Sequence, residues 1–379
     1  MTNEAKDAGK PRRRPRYRGT HPRAFSEKYK EHDAARYPAE RTRILASGKT
    51  PAGSHVAVLV AEVLAALEPR AGDFAVDATL GFGGHASEIL KRILPGGRLL
   101  ALDVDPIELP KAEARLQALA ESLGDEGSVR CVKRNYAGLR KLLEKEAPAG
   151  ADVILADLGV SSMQLDDPAR GFSWKHDGPL DLRMNPARGQ PAGVLLGKMK
   201  TGEIEDFLRR YGDEPEAAGI ASALWATIEA QRTAALHDAR EPRHGDPLTH
   251  LLRNLPLGTS DVAAAVESAF QGTPRSRGSE AKKSSLQRTF QAIRILVNDE
   301  LTALDAFLRD LPHCLAPGGR VAILSFHSGE DRRVKKAFKA GYERGLYARI
   351  ADAVVRPSAG ERGRNPRSSA AKLRWAVRS

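Results

Sequence analysis

The chain has 379 residues, 41% of them hydrophobic, and a formal net charge of +12, which excludes a chain too polar to bury a core and points to polyanionic partners, nucleic acid first, over a merely solubilising charge. Two cysteines far apart, Cys131 and Cys314, with no CxxC, exclude a disulfide scaffold and a cysteine-built metal site. With no apolar signal segment and no apolar run of bilayer length, the expectation is a cytoplasmic protein that does not enter the membrane.

Residues 1–50 include "GKPRRRPRYRGTHPR", basic, proline-rich and poor in aliphatics. They read as an extended arm that either contacts phosphates or only solubilises. From His55, "HVAVLVAEVLAALEP" is apolar at helical spacing and stops at Pro69. "DFAVDATLGFGGH" follows as a strand and a glycine turn, and "SEILKRILPGG" as a helix closed by Pro-Gly-Gly. "RLLALDVDP" is a second strand, and "LPKAEARLQALAESLG" a helix with Pro110 in its first turn. "VRCVKRNY" and "LRKLLEKE" make a third strand and helix, and "ADVILADLGVSS" a fourth strand, apolar until Asp157. This alternation predicts an α/β fold, an open and mostly parallel sheet with helices on both faces. From Asp166 to Gly272 the alternation gives way to helices such as "TGEIEDFLRRYG" and "EAAGIASALWATIEAQR". "PRSRGSEAKKSS" reads as a polar linker, and "LQRTFQAIRILVNDELTALDAFLRDL" as a long helical stretch with a bend. "APGGRVAILSFHSGEDRRVKKAFK" restores the turn, strand and helix pattern before a basic tail.

The glycine turn carries Gly81, Gly83 and Gly84, which permit positive φ and a close backbone approach to a ligand. Asp103 ends the second strand roughly twenty residues on, where such folds place a ribose-binding carboxylate. The spacing is not the strict dinucleotide fingerprint. It looks more like the S-adenosylmethionine site of Rossmann-like methyltransferases; another nucleotide site or a structural turn are the alternatives. Asp105 competes with Asp103, which is preferred because it directly follows the apolar run.

Three further stretches make the pattern specific: "DLGVSSMQLDDPARGFSWKHDGPLDLRM", "QRTFQAIRILVNDEL" and "ILSFHSGEDRRVKKAF". With "TLGFGGH" and "NPRSSAAKLR" they resemble the bacterial small-subunit rRNA (cytosine-N4) methyltransferase family of the MraW type, from about Ser54 to Arg374. The resemblance implies a Rossmann-like methyltransferase sheet with an inserted helical domain, S-adenosyl-L-methionine as cofactor, and small ribosomal subunit rRNA as partner. The implied reaction is methylation of a cytidine N4 amine in the decoding region. The expected layout is an arm over 1–50, methyltransferase parts over 51–165 and 273–379, and a helical insertion for RNA recognition over 166–272. The implied cofactor contacts fall on Gly83, Gly84, His85, Asp103, Tyr136, Asp157 and Gln164. Departures from the family's pattern are Phe82 in the glycine turn, "SSL" at Ser284 to Leu286, and Gly329 in place of a leucine.

Asp157 sits at the end of the fourth strand, where open α/β sheets bind ligands. It is the candidate acceptor for the target amine's proton, with a cofactor-side or turn-capping carboxylate as the other reading. His85 reads as a helix-start histidine that meets the cofactor through its backbone, Tyr136 as a wall beside the adenine, and Gln164 as a ligand or loop contact. His327 is a target-side catalytic candidate. With Glu330 and Asp331 it matches no strong metal spacing, so no metal is expected. Neither cysteine resembles the activated thiolate that methylation at cytosine C5 requires. Basic clusters at Arg12–Arg18, Arg275–Lys283, Arg332–Lys339 and Arg362–Arg378 suggest several phosphate contacts. Two competing functions stand beside the first: methylation of another RNA or of DNA, and a catalytically silent RNA-binding assembly factor. The oligomeric state is not set by the sequence.

Overall fold

The computed structural model describes residues 57–238, 257–271 and 275–379. The basic arm over 1–50, with its Arg12–Arg18 cluster, lies outside the described residues.

Helix α1 (Val60–Leu67) leads into β1 (Phe74–Asp77), α2 (Gly84–Ile93), β2 (Arg98–Asp103), α3 (Leu109–Ser122), β3 (Val129–Lys133), α4 (Leu139–Glu146) and β4 (Ala151–Asp157). Among the described residues only helices follow: α5 (Ser162–Asp166), α6 (Ala192–Leu196), α7 (Thr201–Gly212), α8 (Ala217–Asp238), α9 (Thr259–Ala269), α10 (Arg275–Asn298) and α11 (Glu300–Asp310). The sheet resumes with β5 (Leu315–Ser325), followed by α12 (Ser328–Glu343), β6 (Tyr347–Ile350), α13 (Ala359–Arg364) and β7 (Lys372–Arg378). The seven strands run in the order β3-β2-β1-β4-β5-β7-β6. β1 to β5 pair in parallel, while β7 is antiparallel to both of its neighbours. This is the open, mostly parallel α/β sheet expected from the alternation, and the Rossmann-like sheet that the resemblance implies. The strand order reverses between β1 and β4, which opens a crevice at the strands' carboxyl ends.

Three apolar cores hold the chain. One lies on a sheet face under α1, α2 and α3, with Val63, Leu67, Ile89 and Leu116 buried. A second fills the opposite face under α4, α11 and α12, with Leu139, Phe307 and Phe338. Burial on both faces explains the near-continuous apolar strands. A third, away from the sheet, is built by α6 to α10 around Leu196, Phe207, Leu224, Val266 and Phe290.

Two readings of the sequence are corrected. The polar stretch "PRSRGSEAKKSS" is not a linker; it falls within α10, which begins at Arg275. Its later residues pack despite their polarity: Lys282 pairs with Glu267 of α9 at 2.6 Å, and Ser285 is fully buried. The basic tail ends as an internal strand, β7, with Leu373 and Ala376 buried. Its charges lie at the ends of side chains that find partners. Arg374 and Lys372 pair with Asp331 of α12 at 2.7 and 3.6 Å, and Arg378 donates to the Leu315 carbonyl.

The long helical stretch breaks at Asp299, whose φ of 50° is left-handed. Asn298 secures the break. Its Oδ1 accepts from the Met184 N–H at 2.8 Å, and its Nδ2 donates to the carbonyls of Leu182 and Arg294 at 2.8 and 2.9 Å.

Candidate active site

A cavity of about 470 Å³ lies at the carboxyl ends of β1, β2 and β4 and reaches the α10–α11 break. Small-ligand sites commonly span about 300–1,000 Å³. The glycine turn forms its floor. Gly81 and Gly83 have φ of 51° and 87°, a region that disfavours side chains, and Gly83 opens α2. A Cβ on Gly84 would meet the Ala57 Cβ at 3.0 Å, so the chain start is packed tightly on the turn. Arg115 of α3 donates to the Phe82 carbonyl at 2.9 Å, and its guanidinium sits 3.7 Å from the Phe82 ring centroid. The Phe82 departure thus has a local partner, a cation–π stack that ties the turn to α3.

Asp103 accepts from the Gly81 N–H at 2.7 Å and the Asp105 N–H at 2.8 Å, one on each oxygen. Each oxygen keeps a lone pair, so the carboxylate can still accept a vicinal diol. Burial pushes its pKa up, against the pull of those N–H groups. Asp105 is committed elsewhere. It is buried; its Oδ1 accepts from the Ile107 N–H, and its Oδ2 accepts from Gln164 Nε2 at 2.8 Å and Arg170 Nη1 at 2.9 Å. Gln164 lines the cavity, but its amide also forms a capping box at the start of α5, accepting from the Ser161 N–H at 2.9 Å.

Asp157 stands in the cavity wall at the end of β4. Its backbone N–H donates to Thr79 Oγ1 at 2.6 Å. Its Oδ2 lies 3.4 Å from His85 Nδ1, and its Oδ1 is buried with no hydrogen-bond partner among the described residues. Such an orphan acceptor in a ligand cavity calls for a donor from the guest. The His85 ring is buried, with Nε2 2.8 Å from the Val58 carbonyl. Burial disfavours its charge, but Asp157, the Val58 carbonyl and Asp77 outweigh burial and raise its pKa.

Asp77, which the sequence reading passed over, ends β1 beside them and is 2% exposed. It accepts from the Thr79 N–H at 3.0 Å, and burial pushes its carboxyl up to about 7. Its signal was an acid directly after an apolar strand and before a glycine turn, a position equally natural for a strand terminator. Tyr136 lines the cavity with its ring edge on Phe307, the centroids 5.3 Å apart, and burial raises its hydroxyl pKa.

The opposite wall holds Arg294 and Glu300, which sequence reasoning missed. Arg294 and Glu300 form a two-pronged pair at 2.8 and 2.9 Å, 14% and 9% exposed. Glu330 is buried and accepts from the Phe326 N–H at 2.9 Å. Burial works against its charge, yet nearby His327 and Arg294 and that N–H lower its pKa. His327 does not itself line the cavity. Its Nε2 comes within 3.1 Å of Glu330 Oε1, but the angles are not those of a hydrogen bond, and both ring nitrogens are buried without a hydrogen-bond partner among the described residues. We therefore take the approach as charge proximity. Gly329 leaves space for that ring, since a Cβ there would stand 3.1 Å from His327 Nδ1. Asp331 turns away to Arg374 and Lys372, so His327, Glu330 and Asp331 do not converge.

S-adenosylmethionine fits these residues. It carries a sulfonium, an ammonium and a ribose diol, and the cavity presents Asp77, Asp103 and Asp157 around a glycine turn.

A family model described as the MraW methylase family matches residues 52–379. A ribosomal RNA small subunit methyltransferase H 1 of Lachnoclostridium phytofermentans is 44% identical over 97% of this chain and 93% of its own. A ribosomal RNA small subunit methyltransferase H 2 of Alkaliphilus metalliredigens is 41% identical over 98% of each chain.

Proposed function

The chain belongs to the MraW methylase family, and from that membership we propose that it methylates the exocyclic N4 amine of a cytidine in the decoding region of small-subunit rRNA. It is a methyltransferase that uses S-adenosylmethionine, and rRNA is its substrate class. The observation that carries the N4 assignment is Asp157, a carboxylate in the cavity wall with one oxygen lacking a hydrogen-bond partner among the described residues. When bound, the cofactor supplies an electrophilic methyl group on a sulfonium. The chain's residues do the rest. Asp103 accepts the ribose hydroxyls, Gly81 and Gly84 bring the backbone of the turn to the cavity while Gly83, behind them, sets its φ, and Tyr136 walls the adenine. Asp157 accepts a hydrogen bond from the amine and then its proton, which favours the poorly nucleophilic cytosine nitrogen. Holding nitrogen and methyl in line contributes about 7–11 kcal/mol in well-aligned cases.

The cysteines favour nitrogen over ring carbon as the target. Methylation at C5 needs a thiolate, and burial pushes both thiols, Cys131 and Cys314, up to about 12. Neither lines the cavity.

For RNA binding, α12 presents Arg332, Lys335, Lys336 and Lys339 exposed, and Arg362 and Arg364 of α13 are exposed too. α12 starts beside the cavity, where Phe326 and Glu330 line it. We assign phosphate contacts to this face and RNA gripping to the helical block that follows β4. The target base leaves its stack, or is already unpaired, to reach the cavity. No described helix is long and apolar enough to cross a membrane, and a cytoplasmic site of action fits an rRNA substrate.

Labelled S-adenosylmethionine offered with unmodified small subunits, naked rRNA or DNA tests the substrate. Label in small subunits is expected; label in DNA alone would reject the reading.

A further inference from the structure

We propose that His85 is a positioning residue for methyl transfer: its ring, tethered to the Val58 carbonyl, holds the Asp157 carboxylate in the orientation that receives the proton of the target amine. The inference rests on the proposed N4 chemistry and deepens it.

Both ring nitrogens are turned to protein. Nε2 lies 2.8 Å from the Val58 carbonyl, which only accepts, so Nε2 carries a hydrogen. Nδ1 faces Asp157 Oδ2 at 3.4 Å. A neutral ring would aim its lone pair at that carboxylate; a doubly protonated ring turns a positive N–H edge toward it. The groups facing the ring, Asp157, Asp77 and the Val58 carbonyl, all favour the charged form against burial. Asp157 is thereby constrained at two points: its backbone N–H donates to Thr79 Oγ1 at 2.6 Å, and its Oδ2 faces the Nδ1 edge of the ring at 3.4 Å, a charge contact. A guest in the cavity meets a carboxylate already oriented. In the reaction the amine nitrogen gains the methyl carbon, and the electron pair of the broken C–S bond stays on sulfur. The methylated nitrogen is positively charged until one of its protons passes to the Asp157 carboxylate. The contact on Oδ2 leaves Oδ1, which has no partner among the described residues, to face the amine.

The side chain can be separated from a cofactor contact made by the His85 backbone. His85→Gln keeps an N–H where Nε2 stands, and His85→Asn keeps one where Nδ1 stands. The full chain would be assayed as wild type, His85→Gln, His85→Asn, Asp157→Asn and the His85→Gln/Asp157→Asn double variant. Turnover on small subunits at saturating cofactor, cofactor Kd by calorimetry and thermal melting are the readouts. His85→Gln is expected to lower kcat about 10- to 100-fold while cofactor Kd moves less than about threefold. His85→Asn is expected to recover part of that loss. In the Asp157→Asn background, His85→Gln is expected to add little. Equal losses in kcat and cofactor affinity would overturn the proposal, as would multiplicative losses in the double variant. If melting shows that His85→Gln does not fold, the same cycle run with His85→Asn decides. A wild-type protein that transfers no methyl group would overturn the function itself and this inference with it, whereas multiplicative losses in an active protein overturn the inference alone.

Discussion

On the glycine-turn side of the cavity, Asp77 and Asp103 are held by backbone N–H groups of the strand ends and turn that carry them. Asp103 is bound by the N–H groups of Asp105 and of Gly81, 22 positions away, and Asp77 by Thr79, two positions on. On the far side, the groups that shape the cavity depend on distant segments. Asn298 reaches Leu182 across 116 positions, Arg367 pairs with Asp166 across 201, and Glu361 accepts from the Leu59 N–H across 302. The contrast separates two jobs. The first wall is preorganised by strand-end backbone and can hold a cofactor common to many substrates. The second is assembled only when the helical block and both ends of the described chain have docked, which suits the substrate side.

The largest effect should come from breaking the far wall. Arg294→Met leaves Glu300 as an unpaired buried carboxylate and should cost about 3–5 kcal/mol of stability, read by denaturant unfolding. A cost below about 1 kcal/mol would mean water reaches Glu300 and the pair is no keystone. On the near wall, Asp103→Ala should weaken cofactor binding about 10- to 100-fold by calorimetry. An unchanged affinity would remove Asp103 from the cofactor site.

The third test is pH. Asp77 in the unfolded chain loses its proton near 3.8, while in the folded protein it holds it to about 7. Between those values the folded state binds more protons, so this group's contribution to stability falls as pH rises and levels off above about 7. Asp77→Asn should therefore flatten the decline of stability between about pH 4 and 7. An identical decline in wild type and variant would mean Asp77 is ionised throughout.

The smallest effect is on RNA. Arg332→Ala and Lys339→Ala remove exposed charges from α12, and each should reduce the salt dependence of RNA binding by about 0.7 in log–log slope if it contacts phosphate. An unchanged slope would move the phosphate contacts to another face.

The near wall was legible because its residues fall within one run of strands and turns. The glycine turn, Asp103 and Asp157 each follow an apolar strand, and strand ends are where such sheets bind ligands. Asp77 obeyed the same rule, but its consequence lies in burial by neighbouring strands, which one strand's residues do not reveal. The far wall was illegible for a different reason. Arg294 and Glu300 sit six positions apart in a stretch that reads as helical with a bend, but whose periodicity does not place the bend. The break between them is made by Asn298 bonding to Leu182 and Met184, a tertiary event. The Arg362–Arg378 cluster misled in the same way. Arg367, Lys372 and Arg374 answer acids on α5 and α12, so composition overstated the charge available to RNA. His327 drew interest as a histidine in a polar helix start, yet the fold sets it behind the wall that Glu330 forms.

The central claim is that Asp157 receives a proton from an exocyclic amine of cytosine. The direct measurement is transfer of isotope-labelled methyl to unmodified small ribosomal subunits, followed by RNA digestion and mass spectrometry of the nucleosides. The account predicts the label in N4-methylcytidine, with turnover lost in Asp157→Asn while cofactor still binds. Label in a C5- or ribose-methylated nucleoside, or an Asp157→Asn protein as fast as wild type, would contradict it.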